Sequence, residues 1–258
     1  MSDVIAFGAR LFPRQVAVMT SACTDTAEML HAAERAAVQN AVPERQREFA
    51  TGRVCARTLL ARFGIGDAVV PMAADGRPMW PQGIVGSIAH AGNVCAVAIA
   101  RHTDMAALGI DIEVDRALSD DMYDFICTPA ERKWLQGFED KRRGRLATAL
   151  FSAKECTYKC LSAWRSVPFE PRSITVELNL GGALRRPGET AHCLFKAEME
   201  TFVSRVPLHG TIAVRRGWIV TAMALPQRCL HSVVEPTAGA DQCGIKGFEQ
   251  LGRAQVCR

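Results

Sequence analysis

The sequence lacks the features that mark several common classes of protein. Its ten cysteines include no Cys-x-x-Cys pair and no combined cysteine and histidine set with metal-ligand spacing, so we expect reduced, packed thiols and no zinc site. No basic region followed by an apolar run and a cleavage site opens the chain. No stretch approaches the apolar length of a membrane span, which is about 18 residues or more. We therefore expect a soluble, cytoplasmic protein.

Strong net charge is also absent. A net charge of +4 over 258 residues gives no bulk electrostatic argument for nucleic-acid binding, although it would not hinder an anionic ligand or an acidic protein partner. Hydrophobic residues make up 48% of the chain. A chain of this size and composition can bury one sizeable core, or two lobes of about 100 residues each.

The most informative segment present is 109–113, which reads Gly-Ile-Asp-Ile-Glu. In a strand, Asp111 and Glu113 project from one face, while Ile110 and Ile112 pack on the other. Two carboxylates so close on a partly buried sheet need a metal ion or a shared proton to neutralise them. Oxygen ligands of this kind suit Mg²⁺. A strand end with two exposed acids is the alternative, because Asp-x-Glu often occurs by chance.

The N-terminal part predicts a short strand at 16–19 and two helices, an alanine-rich one over 27–42 and a second over 44–63. On the second helix, Arg53 and Arg57 lie one turn apart beside an apolar stripe. Two interpretations of these arginines are open. Their stems either cover apolar surface while the charged ends reach water, or the guanidinium groups grip a phosphate.

Glycines and prolines predict a loop over 65–83, followed by two strands within 84–100 that meet near residues 91–93. His90 lies just before that turn, and the acidic strand follows at 108–114. A histidine beside a turn is commonly a surface or satisfied polar residue. A mixed or antiparallel sheet would nevertheless hold His90 and Asp111 in the same half of the molecule.

Further along, Thr128 and Glu131 predict a capping box at a helix start. The basic segment 141–145 is either a solvated helix end or a contact for an acidic partner. Strands are predicted at 173–180 and in a hairpin over 211–225 that turns at Arg-Gly.

Between these elements, a helix is predicted over 146–164, with Glu155 and Lys159 on one face at i, i+4 spacing. Such a pair is most often a surface ion pair worth a few tenths of a kcal/mol. Here Phe151, Tyr158 and other apolar residues surround it. The alternative is therefore a functional pair in a comparatively apolar setting.

Together these segments resemble the signature of 4′-phosphopantetheinyl transferases. Segment 109–113 and the later Phe-Ser-Ala-Lys-Glu of 151–155, followed by Tyr-Lys, match the family's two paired motifs in order. Segments 52–57, 76–81 and 86–90 match the enterobactin- and surfactin-type branch, which acts in siderophore and antibiotic biosynthesis. The resemblance covers roughly residues 45–165.

The resemblance implies an α+β fold with two similar lobes in a pseudo-twofold arrangement. Each lobe is a small mixed or antiparallel sheet packed with helices, and coenzyme A binds between the lobes. No internal sequence repeat shows this. The implied division is an N-terminal lobe over 1–115, a C-terminal lobe over 116–225 with the Glu155 and Lys159 helix, and an extension over 226–258 that we expect to be poorly ordered.

The resemblance also implies an enzyme. It would move the phosphopantetheine arm of coenzyme A to a serine of an apo acyl or peptidyl carrier protein, releasing 3′,5′-ADP, and act as a monomer. Asp111, Glu113 and Glu155 would hold Mg²⁺, with Mn²⁺ as a substitute. Glu155 would be the general base, with His90 and Lys159 on phosphate oxygens. The implied contacts to coenzyme A are Arg45, Arg53, Arg57, Arg77, Ser87, His90 and Lys159.

One position departs from the family pattern. Many relatives carry serine immediately before the histidine, whereas this chain has Ala89, so a hydrogen bond to the nucleotide is either missing or supplied by Ser87. Two other functions are open alternatives. One is an inactive carrier- or nucleotide-binding module of the same fold, and the other is a Mg²⁺-dependent nucleotide phosphohydrolase.

Overall fold

The structure is a computed structural model that describes residues 11–163, 170–179, 191–199, 203–204, 208–228 and 233–234. The strands are β1 (Ala17–Ala22), β2 (Ile84–Ala91), β3 (Val94–Arg101), β4 (Met105–Val114), β5 (Ile174–Asn179), β6 (Ala191–Met199), β7 (Val203–Ser204), β8 (Leu208–Arg215), β9 (Trp218–Pro226) and β10 (Val233–Val234). The α-helices are α1 (Ala32–Ala36), α2 (Pro43–Arg62), α3 (Tyr123–Ile126), α4 (Pro129–Leu135) and α5 (Asp140–Leu161). Nearly all of the predicted 226–258 extension lies outside the described residues.

The first layer is a three-stranded antiparallel sheet in the order β1-β3-β2, with α2 packed on one face. The central strand β3 is apolar along nearly its whole length because both of its faces are covered. Val97 and Ile99 pack against Leu59 of α2, whereas Ala96 and Ala98 belong to the cluster shared with β4. This accounts for the lack of polar alternation in β3.

The second layer is a five-stranded antiparallel sheet in the order β4-β9-β8-β6-β5. Helix α5 covers its inner face, where Leu150 and Ala153 meet strand residues such as Phe195 and Met223. The predicted α+β class with antiparallel sheets is confirmed. Strand β4, which ends the predicted 1–115 lobe, pairs with β9 of this sheet.

Strand β4 lies between the two layers, which decides where its side chains point. Ile110 and Ile112 are fully buried in the cluster shared with the first sheet. Asp111, on the opposite face, makes hydrogen bonds to side chains of α5. The alternation predicted for segment 109–113 is therefore confirmed, because a strand covered on both sides must send its acids and its isoleucines in opposite directions.

Gly109 allows α5 to cross β4 closely. A Cβ added at this position would lie 2.0 Å from the Cys156 carbonyl oxygen and 3.0 Å from the Cys160 Cβ. We expect Gly109→Ala to lower the free energy of unfolding by about 3 kcal/mol or more, because the contact is with backbone that cannot rotate away. Urea unfolding measures the effect. Gly66→Ala is the control, since its added Cβ meets nothing within 4 Å, and equal stability losses in the two variants would contradict this packing.

Most local predictions are confirmed, including helix α2, the β2–β3 hairpin, the capping box at Thr128 and the β8–β9 turn at Arg216-Gly217. The single helix predicted over 27–42 is wrong. The chain forms a 3₁₀ turn at Ala27–Met29, becomes extended at Leu30, and then begins α1. This break lets the Glu34 carboxylate turn inward to meet Arg57. No helix among the described residues is long and apolar enough to cross a membrane.

Candidate active site

The acids of β4 and the charged pair of α5 meet at one end of the interface between strand and helix. Lys159 Nζ lies 2.6 Å from Asp111 Oδ1 and 3.6 Å from Glu155 Oε2. The Asp111 side chain is 5% exposed, Glu155 20% and Lys159 26%, so the cluster is enclosed but reachable from one side. Residues that are 48 positions apart are thus joined by a direct ion pair.

Glu155 and Lys159 lie together on one flank of helix α5 because another face of the helix is buried in the core. Ala153, Cys156 and Cys160 are fully buried against the second sheet. The i, i+4 spacing then leaves Glu155 and Lys159 on the flank that faces the end of β4. The alternative of an isolated surface ion pair is excluded, since Lys159 also binds the buried Asp111.

The carboxylates of this cluster resist ionisation. Burial, followed by repulsion from Asp111 and Glu155, raises the pKa of Glu113 to about 8. Burial also raises the pKa of Glu155 to about 7 and raises that of Asp111. For Lys159, burial acts to lower the pKa, but attraction from Asp111 and Glu155 outweighs it and raises the pKa overall. The cluster therefore contains one ammonium group that stays protonated, Lys159, and three carboxyl groups whose ionisation is disfavoured.

The donor types in this cluster suit a hard divalent cation. They are carboxylate oxygens only, and burial, with a smaller contribution from repulsion between the acids, raises the pKa values of Glu113 and Glu155. Within the described part of the chain, no three His, Cys, Asp or Glu side chains stand close enough together to hold one ion. In this arrangement the Lys159 ammonium supplies the countercharge.

A second polar cluster lies beside the first, where β2 meets the start of α2. Arg45 Nη1 donates to His90 Nε2, and His90 Nδ1 lies 3.3 Å from Glu48 Oε2. Burial, Arg45 and Lys159 together lower the pKa of His90 to about 3, so its imidazole is neutral. Lys159 is among the charges that lower the pKa of His90, so the two clusters are electrostatically coupled. Sequence reasoning missed Glu48, whose only local signal is its i, i+3 spacing from Arg45.

The family model of the 4′-phosphopantetheinyl transferase N-terminal domain matches residues 33–100, and that of the 4′-phosphopantetheinyl transferase superfamily matches residues 107–213. The chain belongs to this superfamily. The two matched ranges include both clusters, with Arg45, Glu48 and His90 in the first and Asp111 and the α5 pair in the second.

Curated relatives agree with the family models. The chain is 34% identical to 4′-phosphopantetheinyl transferase Svp of Streptomyces mobaraensis over 80% of this chain and 82% of the relative. It is also 34% identical to transferase Npt of Nocardia iowensis, over 75% of this chain and 88% of the relative. For transferase PptT of Mycobacterium tuberculosis the identity is 32%, over 73% and 82%. The predicted family and enzyme class are thus confirmed, and the family uses coenzyme A as substrate.

In this transferase, two of the arginines predicted to bind coenzyme A have internal partners. Arg53 is buried, donates from Nε to the Val70 carbonyl at 2.6 Å, and lies 4.0 Å above the Phe49 ring. Arg57 makes a 2.7 Å ion pair with the fully buried Glu34. These contacts explain why both arginines lie beside an apolar stripe. Their roles in binding coenzyme A stay predictions.

Arg77 bridges the loop before β2 and the end of α5. Its guanidinium pairs with Asp75 at 2.8 Å and donates to the carbonyl of Ser162, three residues beyond Lys159. The loop that carries Arg77 therefore borders the same end of α5 as the carboxylate cluster. A coenzyme A contact by Arg77 stays a prediction.

The two small residues of β2 face the layer of β4. Ser87 Oγ accepts a 3.2 Å hydrogen bond from the Ile110 backbone N–H, and Ala89 is packed in the apolar cluster shared with that strand. Both positions are almost fully buried. Ser87 thus links β2 to the acidic strand, and its contact with the nucleotide stays a prediction.

The raised pKa of Glu113 predicts a pH-dependent stability. Its pKa is about 8 in the folded state against an ordinary value of 4.5, so the folded state binds more protons between these values. The stability that Glu113 contributes is present at low pH and is lost as pH rises through its folded pKa. We expect the metal-free wild type to lose melting temperature relative to Glu113→Gln between pH 5.5 and pH 8.5, as measured by calorimetry. Parallel curves for the two proteins would contradict this.

Proposed function

We propose that this transferase moves the phosphopantetheine arm of coenzyme A to a serine of an apo carrier protein with Mg²⁺ held by Asp111, Glu113 and Glu155. The observation that carries the proposal is the convergence of Asp111 and Glu155 on Lys159 at 2.6 and 3.6 Å, beside His90. A bound Mg²⁺ would supply positive charge on the pyrophosphate of coenzyme A. Mn²⁺, which accepts the same oxygen ligands, would substitute.

Lys159 and Arg45 supply the chain's own positive charge to the phosphates. Lys159 stays protonated, since its acidic partners raise its pKa, and it can exchange one carboxylate partner for a phosphate oxygen. His90 accepts from Arg45 and is neutral, so it orients that guanidinium rather than adding a charge of its own. These contacts would favour departure of 3′,5′-ADP by stabilising charge on the leaving phosphate.

Glu155 is the proposed general base. Its pKa of about 7 lets it exist as the carboxylate at neutral pH and still bind a proton from the serine hydroxyl. Its position next to the Asp111 and Lys159 pair places it where the pyrophosphate would be held. The serine oxygen would attack the phosphorus atom attached to the pantetheine arm as Glu155 takes the proton, directly or through water.

The finer expectations belong to the same proposal. Arg53, Arg57, Arg77 and Ser87 are retained as candidate contacts to coenzyme A, together with Arg45, His90 and Lys159. Acyl and peptidyl carrier domains are the expected partners, and a monomer in the cytoplasm stays the expected state. Relatives named enterobactin synthase component D, which are 32% identical over about half of this chain, make siderophore biosynthesis one pathway to test.

Intact-protein mass spectrometry of an apo carrier incubated with the transferase, coenzyme A and Mg²⁺ tests the proposal. We expect the carrier to gain one phosphopantetheinyl group, only with metal, and to gain none with Asp111→Ala. Asp121→Ala, at an exposed acid, is the matched control and should retain full transfer. Transfer without metal would overturn the metal role. Coenzyme A binding without transfer to any carrier type would favour an inactive module, and product release without a carrier would favour a phosphohydrolase.

A further inference from the structure

A chain of buried hydroxyl groups runs from the second sheet to Asp111. Ser152 Oγ donates to Asp111 Oδ2 at 2.8 Å and lies 2.9 Å from Thr221 Oγ1. Thr221 Oγ1 also donates to the Ser152 carbonyl at 2.9 Å. Both Ser152 and Thr221 are fully buried, and Thr221 lies opposite Asp111 in the β4–β9 ladder. Strand β9 is therefore connected to one Asp111 carboxylate oxygen through Ser152 of α5.

The number of protons available fixes which group donates in each hydrogen bond of this series. Each hydroxyl has a single proton to donate. The ionised Asp111 can only accept, so the Ser152 proton goes to Oδ2. The Thr221 proton must then serve the two oxygen atoms of Ser152, its carbonyl and its Oγ. Thr221 thus holds Ser152 in the rotamer that points at Asp111.

The two oxygens of Asp111 consequently have different roles. Oδ2 receives the neutral Ser152 hydroxyl, whereas Oδ1 faces the Lys159 ammonium at 2.6 Å. We propose that Thr221 is a positioning residue for the metal site. It acts through Ser152 to keep Asp111 Oδ1 directed at the bound metal ion. This inference rests on the proposed metal role of Asp111.

Without the Thr221 hydroxyl, Ser152 has a competing partner. A serine inside a helix can turn its hydroxyl to the carbonyl four residues earlier, which here belongs to Thr148. Asp111 Oδ2 would then lose its donor and the carboxylate could rotate. Loss of an outer hydrogen bond of this kind typically weakens metal binding about 10-fold to 100-fold.

Valine and serine at position 221 separate this role from simple packing. Thr221→Val keeps the shape of the side chain and removes the hydroxyl, whereas Thr221→Ser keeps the hydroxyl. Thr20→Val is the matched control. Thr20 is also a buried strand threonine, and its hydroxyl has no hydrogen-bond partner in the part of the chain that the structure describes.

The test is a Mn²⁺ titration of the full chain with coenzyme A present, followed by electron paramagnetic resonance of the free ion. We expect Thr221→Val to raise the Mn²⁺ dissociation constant roughly 10-fold, and Thr221→Ser and Thr20→Val to change it less than about 2-fold. Half-saturating Mg²⁺ for transfer should rise in parallel in Thr221→Val, with kcat at saturating metal almost unchanged. Thr221→Val should melt below Thr20→Val, because only Thr221→Val loses buried hydrogen bonds, so Mn²⁺ binding is compared at a temperature at which both variants are folded.

Failure of the positioning role of Thr221 and failure of the metal role of Asp111 give different results. If Thr221→Val binds Mn²⁺ like the wild type while Asp111→Ala does not bind it, the positioning role is wrong and the metal site stands. If Asp111→Ala binds Mn²⁺ like the wild type, Asp111 is not a ligand, and both the metal role and the inference built on it are overturned.

Discussion

Glu155→Gln slows transfer to the carrier serine by about 100-fold to 10,000-fold, the usual contribution of a general base. Glutamine has nearly the shape of glutamate, so it keeps the helix α5 packing and can still face Lys159. It cannot take a proton from the serine. Burial raises the pKa of Glu155 to about 7 in the absence of metal, and a bound Mg²⁺ would lower it, so the wild-type rate should rise with pH in the range below that value.

Single-turnover intact-mass measurements at saturating Mg²⁺ and coenzyme A check this, between pH 5.5 and pH 8.5. The residual rate of Glu155→Gln should lack that rise. Glu177→Gln, at an exposed glutamate of β5, is the control and should behave like the wild type. Full turnover by Glu155→Gln at saturating Mg²⁺ would rule out both the base role and the ligand role.

Lys154→Met lowers the free energy of unfolding by about 3–5 kcal/mol, the usual cost of leaving one partner of a buried ion pair alone. Lys154 is fully buried, and its Nζ lies 2.6 Å from Glu131 Oε2. The same ammonium donates to the carbonyl oxygens of Ile126 and Pro171. Methionine fills a similar volume but leaves the buried Glu131 carboxylate without its cation.

The Glu131 carboxylate also connects this ion pair to the start of its own helix and to strand β5. It accepts from the Thr128 N–H at the start of α4 and from the Val176 N–H of β5, so four segments depend on one ion pair with α5. Urea unfolding measures the loss. Lys133→Met, at an exposed lysine of α4, is the control and should change stability by less than about 0.5 kcal/mol. A double variant, Lys154→Met with Glu131→Gln, should regain part of the loss. A loss below about 1 kcal/mol in Lys154→Met would contradict the network.

Local features of this fold follow from residues that are close in sequence. The alternation of segment 109–113, the Thr128 capping box and the turn at Arg216-Gly217 all depend on neighbours within a few positions. The i, i+4 spacing of Glu155 and Lys159 is local in the same sense. These patterns predicted the strands, the helix start and the face shared by the charged pair. The two motifs at 109–113 and 151–155 carried the family resemblance.

Other features were decided by partners far away in the chain. The helix predicted over 27–42 is interrupted at Leu30, and Glu34 of the helix that follows binds Arg57, which is 23 residues later. Strand β6 was missed, although its residues pair with both β5 and β8 in the second sheet. A local pattern cannot reveal such partners, since they are neighbours only after the sheets have formed.

The same distinction applies to the site. The sequence alone determined which residues are proposed to carry the chemistry, Asp111, Glu113, Glu155 and Lys159, because those residue types occur in recognisable spacings. Only the tertiary structure decided that Glu48 contacts His90 and that Thr221 supports Ser152 from 69 residues away. The physical reason is that the geometry of a buried carboxylate depends on whichever donors packing brings to it, and α5 and β9 reach Asp111 only when they cover β4.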